Sequence, residues 1–129
     1  MDNGEFYVEK KANVILDKTF QFSLRIIELY KYLTTQKNEY VMSKQLLKSG
    51  TSIGANINEA QEAQSKKDFI SKCSISLKEA RETDYWLRLL AASHYLDGKE
   101  TELATLFEEL TAIRKIITSI INSTKKSLS

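Results

Sequence analysis

The sequence predicts an all-α fold, an antiparallel up-down-up-down four-helix bundle, and three observations carry that expectation. The 129 residues contain no proline and only four glycines. Sandwiches and barrels, which need a turn signal every few residues, are therefore excluded. Apolar residues recur at helical spacing in four long segments, and the stretches between those segments are short and polar, as links between antiparallel neighbours are. The hydrophobic content of 42% is too high for a disordered chain. The length suits one domain, expected over residues 13–126, with residues 1–12 as an N-terminal extension and 127–129 as a C-terminal tail.

The first helix is expected from Val14 to Thr35 with Asn13 as N-cap. It carries two adjacent apolar stripes, Leu16, Phe20, Leu24 and Ile27 on one and Ile15, Phe22, Ile26, Leu29 and Leu33 on the other. With Tyr30 they cover roughly 220° of a helical wheel, about twice what a surface helix must bury. One face is therefore expected to pack against a second copy, and the oligomer-interface candidates are Phe22, Ile26, Leu29 and Leu33, joined by Tyr85 and Trp86.

The polar link Gln36–Glu39 leads to a second helix expected from Tyr40 to Gln64, with a stripe of Met42, Leu46, Gly50, Ile53, Gly54, Ile57 and Ala60. Gly50 and Gly54 lie on one face of it, where absent side chains let another helix come close. A phosphate-cradling loop is the competing reading of this segment. No strand precedes it and no Lys-Ser/Thr pair follows, so packing is preferred. Ser65, three residues before Asp68, is the expected N-cap of a third helix running from Lys66 to Leu96 and closed by Gly98. Its core face is Phe69, Cys73, Leu77, Ala80, Leu87 and Ala91. The fourth helix, Glu100 to Lys125, has a seam of Leu103, Leu106, Leu110, Ile113, Ile117 and Ile120, with acids at its start and lysines at its end matching the helix dipole.

The formal charge of +2 lacks the basic excess of a dedicated nucleic-acid binder. Any such contact must come from a local patch. Lys78, Arg81, Tyr85 and Arg88 share an outward arc of the third helix, and Lys44 and Lys48 lie on the outer side of the second; these six are the nucleic-acid contact candidates, with Lys66, Lys67 and Lys72 nearby. A solvated face and a protomer contact are the alternative readings of the same residues.

No cofactor, metal or catalytic residue is expected. Cys73 stands alone on a core stripe, and the single histidine, His94, is expected to complement the end of the third helix. A bundle-type di-metal site needs two Glu-x-x-His pairs, and one histidine cannot supply them. A ligand or enzyme site between protomers, around Asn56, Glu59 and Asp84, is the competing class. The N-terminal residues lack the basic and apolar regions of a signal peptide and no run reaches membrane-spanning length, so the expectation is a cytoplasmic protein with no membrane association.

Several segments read together resemble a known bacterial family. They are Leu46–Leu47, Ser49–Ile57 with Glu59–Ala60, then Ser65 and Asp68–Ile70, then Glu79–Ala80, Glu82–Thr83, Tyr85–Leu87 and Leu89–Leu90. In this order they are similar to the four helix bundle proteins encoded in intervening sequences of ribosomal RNA genes, from about Asn13 to the end of the fourth helix. The resemblance implies a ring-like homopentamer of four-helix protomers and a relation to the accessory protein of diversity-generating retroelements. It also implies a non-enzymatic scaffold, for which the candidate partners are further copies of itself and RNA or a nucleic-acid-handling protein. A protein-only interaction module is the alternative.

Overall fold

Helices account for nearly all of the chain, because nothing in the sequence interrupts them for long. The computed structural model describes residues 3–128, and the expected tail residues 127–129 fall partly outside that span. The four helices are α1 (Asn3–Gln36), α2 (Met42–Ala60), α3 (Lys66–Ala92) and α4 (Glu100–Lys126), and no strand is present among the described residues. α1 packs on α2 and α4, and α3 packs on α2 and α4, while the diagonal pairs do not approach. The helices thus enclose one core in chain order around its perimeter.

α1 begins eleven residues earlier than the apolar pattern indicates, and Asn13 is an exposed residue inside it, not its N-cap. The apolar stripe marks where a helix touches the core. The preceding Glu, Lys and Ala residues are good helix formers, so local propensity continues the helix beyond that stripe. α2 is shorter than expected at both ends. At its start Glu39, only 8% exposed, replaces an ordinary N-cap. Its carboxylate accepts hydrogen bonds from the backbone N–H groups of Ser43 at 2.7 Å, Met42 at 3.2 Å and Val41 at 3.3 Å, and the Ser43 hydroxyl donates to the Glu39 carbonyl at 2.7 Å. Burial alone would raise the Glu39 pKa, but those three N–H bonds together overcome it and hold the carboxyl below the usual value.

At the other end, Asp68 accepts from the Gln64 N–H at 3.3 Å while Ser65 Oγ accepts from the Asp68 N–H at 3.0 Å, so the chain turns before Ser65 and α3 starts at Lys66. α3 ends at Ala92, before the expected Leu96. His94 adopts the left-handed conformation, with φ of 70°. Its N–H donates to Ala91 and the Tyr95 N–H donates back to Leu90, both at 3.1 Å. This is a Schellman closure with histidine where glycine is usual. Gly98, at φ 88°, serves the turn into α4 instead.

The core contains Ile15, Phe22, Ile26 and Leu33 from α1, Leu46, Ile53 and Ile57 from α2, Leu87 and Leu90 from α3, and Leu110, Ile113 and Ile117 from α4. The α1–α2 contact is close because α2 offers glycine there. A Cβ on Gly50 would stand 2.9 Å from both γ carbons of Ile26, and one on Gly54 would stand 3.2 Å from Thr19 Oγ1. On its other flank α2 meets α3 through small polar residues. The Ser76 hydroxyl donates to the Ile53 carbonyl at 2.8 Å, and the Thr83 and Ser49 hydroxyls are hydrogen-bonded at 3.0 Å, so all three buried side chains are satisfied.

Candidate functional site

Two surfaces leave chemistry unused by the fold. The first is apolar. Of the two stripes on α1, the one holding Phe22, Ile26, Leu29 and Leu33 faces the protomer's own core; Phe22, Ile26 and Leu33 are fully buried. The expectation that these four meet a second copy is therefore corrected: their side chains are occupied by α2 and the rest of the core. The other stripe is open. Phe20 is 60% exposed and Leu24 44%, with Leu16 and Ile27 half-buried beside them. Sequence periodicity identified both stripes but had no means of choosing between them, since both have helical spacing and similar apolar content. The discriminating signal was the small residue opposite: Gly50 and Gly54 accommodate Ile26 and Thr19, which lie on the buried side.

α3 carries a second set of outward apolar side chains, Ile75, Tyr85 and Leu89, all exposed. Tyr85 and Trp86 meet edge to face, with ring centres 5.2 Å apart. Trp86 is half-buried against the core, so of this pair Tyr85 is the accessible one.

The second surface is polar and basic, and the six basic and aromatic candidates do not form one patch on it. Lys44 and Lys48 are exposed on α2. Lys48 and Lys78 flank Glu79, whose carboxyl is pushed above the usual range by burial and by neighbouring Glu82 while the two lysines pull it down. That corner is mixed in charge. Arg88 is tied to Asp84 at 2.9 Å one helical turn away. Arg81 alone turns toward α4, where it joins Arg114, Lys115 and Lys126 around an open groove of about 820 Å³. Thr118, Asn122 and their hydroxyl-bearing neighbours complete its α4 wall, Leu77 contributes to the α3 wall, and among the described residues no carboxylate lines it.

Sequence reading found Arg81 but missed the α4 cations. Counted together, residues 97–129 hold equal numbers of acids and bases; yet all five acids lie at or before Glu109, and Arg114, Lys115, Lys125 and Lys126 follow it.

Most of the remaining candidates have structural occupations. Cys73 is buried, and burial pushes its thiol up to about 11, which removes the thiolate needed for nucleophilic chemistry. His94 Nδ1 sits 3.3 Å from Asp97 in the turn after α3. Asn56 donates to the Ser52 carbonyl within α2 at 2.8 Å, Glu59 is exposed, and Asp84 holds Arg88. No group of three or more His, Cys, Asp or Glu side chains is placed to hold a metal ion among the described residues. None of their helices is long and apolar enough to cross a membrane.

Residues 11–119 match the family model of the 23S rRNA-intervening sequence proteins. The chain belongs to that family. This intervening-sequence protein is also similar to a crystal structure of a protein of unknown function from the S23 ribosomal protein family of Bacteroides thetaiotaomicron VPI-5482. The two are 50% identical over 87% of this chain and 98% of that one, with a TM-score of 0.83. No curated protein matches the sequence. The intervening-sequence match reaches into all four helices and includes the segments on which the family resemblance rests.

Proposed function

We propose that this intervening-sequence protein is a non-enzymatic, cytoplasmic scaffold that works as a homo-oligomer of up-down-up-down bundles, with five copies in the ring implied by the family resemblance. One observation carries the reading: the open α1 stripe, where Phe20 and Leu24 stand in solvent although the same helix already supplies a full core face. Large apolar side chains grouped on one helix face mark a contact surface, and a second copy offers a matching apolar set in Ile75, Tyr85 and Leu89 on α3. Opposed numbering across the α1–α2 and α2–α3 contacts supports the up-down arrangement. Ile26 meets Gly50 as Thr19 meets Gly54, and Thr83 meets Ser49 as Ser76 meets Ile53.

A scaffold needs no nucleophile, in keeping with the buried Cys73 thiol and the turn position of His94. RNA or a nucleic-acid-handling protein is the proposed partner class, supported by the cation-lined groove on the α3–α4 side.

The oligomer is tested with Phe20→Asp and Leu24→Asp in one chain. Sedimentation should change from an assembly to a monomer while helical circular dichroism is retained. An assembly unaffected by both charges would remove α1 from the interface.

A further inference from the structure

We propose that the groove between α3 and α4 binds the phosphate–ribose backbone of double-stranded RNA. The proposal deepens the nucleic-acid reading above and is independent of the oligomer. Charge distribution is the first argument. No acid occurs between Glu109 and the end of α4, so that stretch of α4 is basic although the whole chain is nearly neutral, and Arg81 faces it from α3 across the groove. Among the described residues no carboxylate pairs with Arg81, Arg114 or Lys115, whereas Arg25, Lys31, Lys72 and Arg88 all have acidic partners. These three cations on one concave surface raise the local concentration of a polyanion.

Shape and chemistry narrow the ligand. The cations along α4 run from Arg114 to Lys126, about 18 Å at the helical rise per residue. This is the span of several phosphates on a strand and exceeds a single phosphate group. Among the described residues no aromatic side chain lines the groove, so unstacked bases of a single strand have no platform there. Tyr85, the exposed aromatic nearest in sequence to Arg81 on α3, lies edge-on to Trp86 and outside the groove lining. What lies between the cations is a row of hydroxyl and amide groups, including Thr118 and Asn122. Such groups can donate to phosphate oxygens and exchange hydrogen bonds with ribose 2′-hydroxyls. An RNA duplex presents both across its wide, shallow minor groove and is recognised there by shape.

The test measures fluorescence anisotropy of a labelled RNA duplex of about 16 base pairs, titrated with the intact protein over a range of salt concentrations. Arg81→Gln, Arg114→Gln and Lys115→Gln should each weaken binding several-fold and lessen the log–log salt slope by about one. Lys44→Gln with Lys48→Gln, on α2, should leave affinity within twofold. Circular dichroism and light scattering confirm that the variants fold and assemble as the wild type does. Groove variants that bind like the wild type, or no binding at low salt, would overturn the site. Equal or tighter binding of the DNA duplex or of either single RNA strand would overturn the assignment to double-stranded RNA. A monomeric wild type that still binds through the groove would contradict the oligomer alone.

Discussion

Gly50 illustrates how one residue sets the distance between two helices. Alanine is favoured over glycine in a helix by ~1 kcal/mol, so at an open position Gly50→Ala would stabilise α2. Here the added Cβ would lie 2.9 Å from two carbons of the branched, fully buried Ile26, which would have to shift within the core. The overpacking cost should win, giving a net loss of roughly 1–3 kcal/mol in chemical denaturation. Gly54→Ala faces the looser 3.2 Å approach of Thr19 and should lose less. A gain in stability at Gly50 would mean that α1 and α2 are farther apart than described. His94 makes the converse case. Its left-handed backbone is disfavoured for a side chain and natural for glycine. His94→Gly should therefore raise the melting temperature, with a gain below about 1 kcal/mol because glycine also makes the unfolded chain more flexible. A lowered melting temperature would show that the His94–Asp97 contact outweighs the backbone strain.

At the scale of the elements, the start of α2 depends on Glu39. Its folded-state pKa lies below the usual carboxyl value because three backbone N–H groups outweigh its burial. The stabilisation is fully present above the ordinary glutamate pKa and is lost as pH falls through the depressed folded value. Glu39→Gln should cost about 1–2 kcal/mol at neutral pH, in the range of a lost N-cap. The gap between variant and wild type should close on acidification. Denaturant melts at pH 7 and pH 3 check this, and an undiminished gap in acid would place the effect in packing. The cap also shows why element boundaries were less legible than elements. Core stripes on α2 and α4 were readable because helical spacing is a direct consequence of burial, and Ser65 with Asp68 was readable as a local cap. The Glu39 cap spans a turn whose shape depends on a left-handed Asn38, and the α1 extension precedes the apolar stripes from which the helix was read. The basic groove was hidden for a different reason, since it joins Arg81 to cations more than thirty positions away on α4.

For the whole molecule, the square arrangement gives α1 and α3 opposite places around the core, each with apolar side chains directed outward. A ring of identical copies can use such a pair of faces repeatedly, the α1 stripe of one protomer against α3 of the next, which is a head-to-tail contact that closes when the rotation allows. The open stripe from Phe20 to Ile27 and its flanking Leu16 extends about 17 Å along α1, a suitable centre for an interface of standard size, ~800 Å² per partner. In such a ring the α3–α4 groove, lined from Leu77 and Arg81 across to α4, would recur once per copy. Repetition of a weak cationic site in this way raises avidity for a long polyanion without any new contact.

The mass in solution tests this account most directly. Size exclusion with multi-angle light scattering at micromolar concentration should give about five times the 14.8 kDa of one chain. A single species at 14.8 kDa would contradict it.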